Sequence, residues 1–499
     1  MTPLLHMLRS RGLSSLDTSL RLFATRILML AILAVATASI TLADEFPGKA
    51  RKPNIVFIMA DDLGRGHVGC YGQTKIRTPN IDRLAAEGMK FENAYAGANV
   101  CAPSRSVLMT GLHLGHTPVR NNGLLRHLYD EDVTVAEVLK KAGYATGGFG
   151  KWGLGEEIGP GVAVSQGFDV WFGQYNQQHA HFFYPYFLMN GRERFPLPEN
   201  EGGKQARYAH DEIHTQALEF IRNHKDGPFF AYLPYILPHV ELTVPADSRG
   251  EYEDKFPRIS RADPRPGYLG SDHAHAEFAG MVTRLDRHVG EVITLLKDLG
   301  IDDDTIVFFT SDNGPQPGAW TDIFVDYFDG NGIYRGAKGD FYEGGIRTPL
   351  IARWPGHITA GSTSDLPTCF YDVLPTLAEL AGAGDLPPTD GISIVPTLLG
   401  RGKQRKHEFL YWEIPAGKGA GSKTYEQVVR AGDWKLLRFP GKKPPELYNL
   451  ADDPGETRNV AGEHADVVAK LAAIMEREHE PERDYPADTR GLNAKSFVK

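Results

Sequence analysis

Two short, uninterrupted apolar runs stand out in the pattern of hydrophobic and polar positions, Asn54–Ala60 and 305–310. Runs of this length without polar alternation are typical of parallel strands that are buried on both faces. Amphipathic stretches that fit helices lie between the two runs, over 78–87, 134–142, 210–224 and 277–299. Strands that alternate with helices predict an α/β fold with a large, mostly parallel sheet.

The pattern changes after residue 399, where a basic, glycine-rich stretch begins. Three short strand-like runs and one helical pattern follow this stretch, over 408–412, 426–430, 434–438 and 465–478. Gly432-Asp433 is a turn signal between the last two runs, which indicates antiparallel pairing. We therefore expect a main domain over 44–399 and, packed against it, a C-terminal α+β subdomain over 400–499.

Residues 1–43 combine four arginines with an apolar run at 27–35 that grades into small residues. This arrangement predicts a cleaved signal peptide, and the alternative is an uncleaved membrane anchor. Cleavage is favoured because the apolar run is shorter than the ~20 residues of a spanning helix. We expect an exported protein, periplasmic or secreted, with no stable membrane span after cleavage.

The composition limits the class of function and the number of disulfides. The chain of 499 residues has a formal net charge of −9, which disfavours nucleic-acid binding because that function needs a basic field. Its three cysteines are Cys70, Cys101 and Cys369, so at most one disulfide can form and at least one thiol needs another explanation.

Acidic and amide side chains follow both apolar runs, Asp61 and Asp62 after the first and Asp312 and Asn313 after the second. Ligands of parallel sheets gather at the carboxyl ends of the strands. Because hard divalent cations prefer carboxylate and amide oxygens, these four side chains predict a cation site.

The segment Cys101-Ala-Pro-Ser-Arg105 has a chance probability on the order of 10⁻³ among three cysteines. It resembles the signature of the formylglycine-dependent sulfatases, which belong to the alkaline-phosphatase-like superfamily. Further segments resemble that family in order and spacing: Pro53 through Asp62, Thr78-Pro-Asn-Ile-Asp82, Leu108-Met-Thr-Gly111, Gly150-Lys-Trp152, Pro238-His239, Ser311-Asp-Asn-Gly314, Lys338 and Glu343 through Pro349. The resemblance implies an α/β/α sandwich and a sulfuric ester hydrolase, with 44–399 as its catalytic domain.

The resemblance also implies the chemistry of Cys101. A formylglycine-generating maturation enzyme would convert this cysteine to an aldehyde (3-oxoalanine), whose hydrate carries two hydroxyls. One hydroxyl would attack sulfur and expel the alcohol, and deprotonation of the second would release sulfate by elimination. One calcium ion would be held by the modified Cys101 and by Asp61, Asp62, Asp312 and Asn313.

Four more residues match positions with known roles in the family. Arg105 and Lys151 match residues that bind the hydrate and the oxygens on its metal side. Lys338 matches a residue that contacts the sulfate, and His239 matches one that protonates the leaving oxygen together with Lys338. Histidine suits this task because its pKa lies near neutral pH.

One position departs from the family pattern. Many relatives have a histidine after Gly-Lys-Trp, which is credited with deprotonating the second hydroxyl, whereas Gly153 follows Trp152 here. We hypothesise that His113 or His116, or a water reached through them, supplies the missing base.

The segment 173–184 is rich in amides, imidazoles and aromatic rings. Amides and imidazoles bond sugar hydroxyls, and rings stack on the apolar faces of sugars. The segment resembles loops of carbohydrate sulfatases, so we expect Asn176, His179 and His181 to contact a sulfated galactose or N-acetylgalactosamine. The alternatives are a polar loop anchored to the core by its rings, and a small sulfate ester as substrate.

Two other functions stay open at this point. One is a phosphatase or phosphodiesterase of the same superfamily, which the Cys101 motif disfavours because those enzymes use serine or threonine with two zinc ions. The other is a non-catalytic binder of sulfated glycans, which Gly153 suggests.

Two further patterns are assigned no function. The segment from Gly148 to Gly153 matches G-x-G-x-x-G, but no suitable helix follows it. His210-Asp-Glu-Ile-His214 places two histidines one helical turn apart, as in zinc helices, yet Asp rather than Glu follows the first histidine. We expect a solvated helix face there.

Overall fold

A computed structural model describes residues 52–485, except 124–125, 158, 264–267 and 417–423. The predicted signal peptide, residues 1–43, lies outside the described residues. Across the described part of the chain, every helix is too short or too polar to cross a membrane.

The strands among the described residues are β1 (Asn54–Ala60), β2 (Met89–Phe91), β3 (Ala94–Tyr95), β4 (Ala145–Lys151), β5 (Val170–Gln174), β6 (Phe187–Asn190), β7 (Glu193–Pro196), β8 (Phe229–Pro234), β9 (Thr305–Ser311), β10 (Leu350–Arg353), β11 (Ser362–Ser364), β12 (Thr368–Cys369), β13 (Leu410–Pro415), β14 (Tyr425–Ala431), β15 (Trp434–Phe439) and β16 (Lys443–Asn449). The α-helices are α1 (Pro79–Ala86), α2 (Cys101–Thr110), α3 (Val135–Lys141), α4 (Ala209–Asn223), α5 (Ala246–Arg249), α6 (Ala274–Asp298), α7 (Glu343–Ile346), α8 (Val373–Ala381), α9 (Val395–Leu398) and α10 (Ala465–Glu478).

Ten strands form one large sheet in the spatial order β11-β2-β10-β9-β1-β8-β4-β5-β6-β7. The five central strands, from β9 to β5, all run parallel. Strands β10, β6 and β7 each pair antiparallel with their neighbours. The predicted α/β fold with a mostly parallel sheet is confirmed.

Helices cover both faces of this sheet. Along β1, Ile55, Phe57 and Met59 face one hydrophobic core, which also contains residues of α2, α3 and α8. Val56 and Ile58 face a second core, which contains residues of α1, α4 and α6. Since successive side chains of a strand point to opposite faces, these two cores define the expected α/β/α sandwich.

The C-terminal strands β13 to β16 form a separate antiparallel sheet in sequence order. One face of this sheet, including Tyr411 and Val429, packs with α10. The other face, including Trp412 and Leu437, belongs to a core of the main domain, and Trp412 Nε1 donates to Ala96 O at 3.0 Å. The predicted sheet and helix are present; the domain boundary at 399/400 stays a prediction.

The expectation of a solvated face at His210 and His214 is wrong, because α6 covers it. Both side chains are buried, and the ring of His288 stacks at 5.0 Å from His210 and 4.0 Å from His214. The rings of His214 and His288 are 5° from parallel. His214 Nδ1 lies 2.7 Å from the hydroxyl of Tyr235 and its Nε2 lies 2.8 Å from Glu291 Oε2, so both ring nitrogens of His214 have partners.

The three cysteines are free. Cys70 is half-buried and Cys369 is buried, and the one disulfide that three cysteines allow does not form between them. Buried cysteine packs as a small apolar side chain.

Candidate active site

The ends of the two central strands bring four oxygen-bearing side chains together. Ala60 pairs with Ser311 in the parallel register of β1 and β9, so the residues that follow each strand lie side by side. The backbone N–H of Asp62 donates to Asp312 Oδ1 at 3.1 Å, and Asn313 Nδ2 donates to Asp62 Oδ1 at 2.7 Å. These side chains and that of Asp61 are buried.

Cys101 is the first residue of α2 and points at the same place. Its Sγ lies 3.5 Å from Asp61 Oδ1 and 3.9 Å from Asp62 Oδ1. Ser104 Oγ donates to the carbonyl of Asp312 at 2.6 Å, which holds the start of the helix against the end of β9. Burial raises the pKa of the Cys101 thiol to about 12, so the unmodified thiol stays protonated and is a poor nucleophile.

Two buried cations lie behind the carboxylates. Arg105, one turn into α2, donates to Asp312 Oδ2 from Nη2 at 2.7 Å and to the carbonyl of Lys151 at 2.6 Å. Lys151 Nζ donates to Asp61 Oδ2 at 2.8 Å. Burial alone would raise the pKa of Asp61, but Lys151 above all, with the neighbouring cations, holds it well below its ordinary value. Burial and the charge of Asp61 raise the pKa of Asp312 to about 6.

The glycine before Lys151 allows β4 to lie close to the end of β8. Gly150 has φ +138°, and a Cβ at this position would lie 2.0 Å from the carbonyl oxygen of Pro234 on β8. A side chain there would separate β4 from β8, so glycine is required for the backbone that places Lys151 at the site.

His239 and Lys338 lie against Asp62. Lys338 Nζ donates to Asp62 Oδ2 at 2.7 Å and to His239 Nε2 at 3.2 Å. His239 Nδ1 contacts the carbonyl of Val240. This pattern fits a neutral imidazole that carries its proton on Nδ1. Burial lowers the pKa of His239 to about 4, while Asp62 raises the pKa of Lys338 against the effect of burial.

The donor set fits a hard divalent cation. The ligand atoms of Asp61, Asp62, Cys101 and His239 all lie within 4.8 Å of one another. Asn313 Oδ1 is buried and has no hydrogen-bond partner among the described residues. Three carboxylates and one unpartnered amide oxygen are the oxygen ligands that calcium takes.

The positions of His113 and His116 contradict the hypothesis that one of them, or a water reached through them, supplies the missing base. Both residues follow the C-terminus of α2, and the ten residues of this helix span about 15 Å from the end that carries Cys101. His113 Nε2 lies 3.2 Å from Glu478 Oε2, and His116 Nδ1 lies 2.9 Å from Asp390 Oδ2. Their partners hold the end of α10 and a loop, away from the site.

The three residues predicted to contact the substrate lie in two different environments. Asn176 Oδ1 accepts the backbone N–H groups of Gln178 and His179, and the ring of His179 stacks on Phe187 at 4.5 Å. Both side chains are buried. His181 instead stacks on His239 at 4.0 Å. Of the three residues, His181 is the one that the structure brings to the site, and their contact with a glycan stays a prediction.

Sequence reasoning missed Gln177. A Cβ built on Gly153 would lie 2.4 Å from Gln177 Nε2 and 3.6 Å from Arg105 Cδ. Gln177 therefore takes the space into which a side chain at position 153 would extend. The sequence carried no signal for it, because one glutamine among several polar residues has no motif of its own.

The sequence matches the Sulfatase family over residues 53–383 and the family of N-sulphoglucosamine sulphohydrolase C-terminal regions over 336–481. It is 34% identical to human arylsulfatase A, over 83% of this chain and 84% of that protein. It is 31% identical to the N-acetylgalactosamine-6-O-sulfatase of Bacteroides thetaiotaomicron, over 86% of this chain and 93% of that protein. The fold resembles the crystal structure of Ps i-CgsB in complex with k-i-k-neocarrahexaose, with a TM-score of 0.72, 26% identity, and coverage of 90% of this chain and 98% of that one.

Proposed function

The chain belongs to the sulfatase family and is a sulfuric ester hydrolase, and from this premise we propose that it desulfates a carbohydrate with a formylglycine made from Cys101 beside a bound Ca²⁺. The observation that carries the proposal is the position of Cys101, whose Sγ lies 3.5 Å from Asp61 Oδ1 among the charged side chains of the site. Neither alternative has comparable support, because a phosphatase of this superfamily would carry serine or threonine there and a binder would not need the buried cations.

Asp61, Asp62, Asp312 and Asn313 would hold the ion. When bound, a divalent cation polarises the sulfate and stabilises the ionised form of the attacking hydroxyl. The residues of the chain provide the setting for this chemistry: Lys151 donates to Asp61 and Arg105 donates to Asp312, so two buried cations hold the carboxylates in place.

The nucleophile needs the maturation of Cys101. In its present state the thiol is protonated, because burial raises its pKa to about 12. Conversion to the aldehyde and hydration would replace it by two hydroxyls on one carbon, which is the arrangement that allows sulfate to be released by elimination.

Lys338 and His239 would protonate the leaving oxygen. Lys338 Nζ and His239 Nε2 share a hydrogen bond of 3.2 Å, so one proton lies between them. Delivery of this proton lets the sugar leave as an alcohol rather than as an alkoxide.

His181 is the residue that we assign to the sugar. Its ring stacks on His239, and its Nδ1 lies 2.6 Å from the hydroxyl of Tyr268. Because His239 would act on the leaving oxygen, a sugar that carries this oxygen would lie within reach of His181. Asn176 and His179 support the loop behind it. Galactose or N-acetylgalactosamine sulfates are the first candidates, since the Bacteroides relative is named an N-acetylgalactosamine-6-O-sulfatase.

We also propose export, because residues 1–43 have the features of a cleaved signal peptide.

The proposal is tested with protein matured in cells that make a formylglycine-generating enzyme. Sulfate release is measured on galactose 6-sulfate, N-acetylgalactosamine 6-sulfate and nitrophenyl sulfate. His181→Ala should raise KM for the sugar sulfates at least about tenfold more than for nitrophenyl sulfate. His224→Ala, at a half-buried histidine outside the segment 173–184, is the control and should leave this ratio unchanged. Equal effects of His181→Ala on all substrates would contradict the sugar assignment.

A further inference from the structure

A buried network of charges joins the C-terminal sheet to the segment that carries Lys338. Lys435 on β15 donates to Glu343 Oε1 at 2.8 Å and lies 2.9 Å from Glu456 Oε1. All three side chains are fully buried. Glu456 Oε2 accepts the backbone N–H of Glu343 at 2.6 Å. Burying three ionisable side chains has a large desolvation cost, so such a network is weak evidence for stability and points to a role in holding Glu343 in one place.

The same sheet holds the segment at two further residues. Arg335 Nη1 donates to the hydroxyl of Tyr448 and to the carbonyl of Glu456, both at 3.0 Å. The hydroxyl of Tyr342 donates to Glu446 Oε2 at 2.6 Å. Both ends of the segment 335–343 are therefore fixed on the C-terminal subdomain.

Lys338 lies in the middle of this segment. Its backbone N–H donates to Pro315 O at 2.9 Å, and the N–H of Gly339 donates to Asn99 O at 2.8 Å. Asn99 Nδ2 in turn donates to Gly339 O at 2.8 Å. The Lys338 ammonium thus reaches Asp62 and His239 from a loop whose ends are held by β15, β16 and the turn at Glu456.

We propose that Lys435 and Glu456 are positioning residues, which hold the segment 335–343 so that Lys338 stays within reach of His239 and the leaving oxygen. The inference rests on the proposed function, because it takes Lys338 and His239 as the proton donors. It goes further by giving the C-terminal subdomain a part in the reaction.

The test compares two leaving groups. Nitrophenolate leaves without a proton, whereas a sugar alcohol needs one, so displacement of Lys338 affects the sugar sulfate selectively. Lys435→Met should lower kcat for galactose 6-sulfate about tenfold more than kcat for nitrophenyl sulfate. Adding Glu456→Gln to Lys435→Met should restore part of this ratio, because an amide carries no charge beside Glu343 and can still accept the backbone N–H of Glu343.

Arg120→Met is the matched control. Arg120 Nη1 donates to Glu413 Oε1 at 2.8 Å in another buried ion pair of the C-terminal sheet. Its other hydrogen bonds go to the carbonyls of Thr117, Glu480 and Gly115, outside the segment 335–343. This variant should lower Tm without changing the ratio of the two substrates. Equal losses on both substrates for Lys435→Met, or the same change of ratio for Arg120→Met, would overturn the inference.

A Lys435→Met variant that does not fold and an inactive wild-type protein have different consequences. If Lys435→Met does not fold, Glu456→Gln alone is measured, for which we expect a change of ratio of about threefold and for which an unchanged ratio overturns the inference. If the matured wild-type protein releases no sulfate from either substrate, the proposed function fails instead. A crystal structure of Glu456→Gln then decides the positioning: a displaced Lys338 supports it, and a Lys338 still bonded to Asp62 contradicts it.

Discussion

The loop that follows Asp61 and Asp62 contains a buried histidine whose hydrogen bonds fix its protonation state. His67 Nδ1 accepts the backbone N–H of Gly64 at 3.1 Å, and His67 Nε2 lies 2.7 Å from the carbonyl of Phe324, to which it donates. Both ring nitrogens are satisfied only in the neutral form, because a proton on Nδ1 would face the N–H of Gly64. Burial lowers the pKa of His67 to about 4.

This pKa predicts a loss of stability in acid. Below the unfolded value of about 6.5, the unfolded chain binds a proton that the folded chain does not bind. The stabilisation is therefore complete above pH 6.5 and is lost as the pH falls towards 4. The contribution of His67 to this loss is about 2 kcal/mol at pH 5 and reaches about 3.4 kcal/mol below pH 4.

His67→Gln removes this titration. The variant should be less stable than wild type at pH 7.5 by about 1–3 kcal/mol, because one buried bond is lost. Between pH 7.5 and pH 5, however, its free energy of unfolding should fall about 2 kcal/mol less than that of wild type. Urea unfolding at pH 7.5, 6 and 5, followed by tryptophan fluorescence, measures this difference. Gln73→Ala, which removes the two side-chain hydrogen bonds that Gln73 donates near the same loop and no titratable group, is the control and should lower the free energy of unfolding by the same amount at each pH. Parallel pH profiles for wild type and His67→Gln would refute the argument.

Two more predictions concern the site itself. In a thermal shift assay after chelation, Ca²⁺ should raise Tm of the matured protein by more than Mg²⁺ does. At a hundredfold excess of Ca²⁺ over Kd, the free energy of unfolding should rise by about 2.7 kcal/mol. Asn313→Ala should reduce this rise. Gly153→Ala should cost about 1–2 kcal/mol in urea unfolding because φ is +77°. Gly143→Ala, with φ +88° and open space around it, is the control and should lower the free energy of unfolding by the same amount. Only Gly153→Ala should alter turnover, because it displaces Gln177. Equal turnover for both variants would contradict an effect of Gln177 on the reaction.

Local patterns in the sequence were sufficient for the central elements. The apolar runs gave β1 and β9, and the periodicity over 465–478 matches α10 to the residue. Parallel strands that are buried on both faces leave a strong signal, and so does an amphipathic helix on a sheet. Because Asp61 and Asp312 directly follow such strands, their proximity could also be predicted.

Elements with weak intrinsic preference were missed. The strand β4 reads Ala-Thr-Gly-Gly-Phe-Gly-Lys, and glycine is unfavourable in strands unless neighbours require it. Here the close approach of Pro234 to Gly150 supplies that requirement. The edge strand β16 contains Pro444 and Pro445, which are tolerated only because an edge strand need not donate every hydrogen bond.

Contacts between residues far apart in sequence could not be predicted either. The covering of His210 and His214 by His288 depends on how α6 packs, and periodicity identifies a helix face but not its neighbour. The pairing of Glu343 with Lys435 is of the same kind, as is the placement of Gln177 beside Gly153. The family resemblance located the residues that match its motifs and had no information on the residues that hold them.

The central claim is that sulfate esters are hydrolysed through a converted Cys101. The most direct measurement uses a series of preparations in which the converted fraction of Cys101, determined by mass spectrometry of the peptide, ranges from none to nearly all. Specific sulfate release from galactose 6-sulfate or N-acetylgalactosamine 6-sulfate should rise in proportion to that fraction and pass through zero for unconverted protein. Release that is independent of the converted fraction, or no release from fully converted protein, would contradict the account.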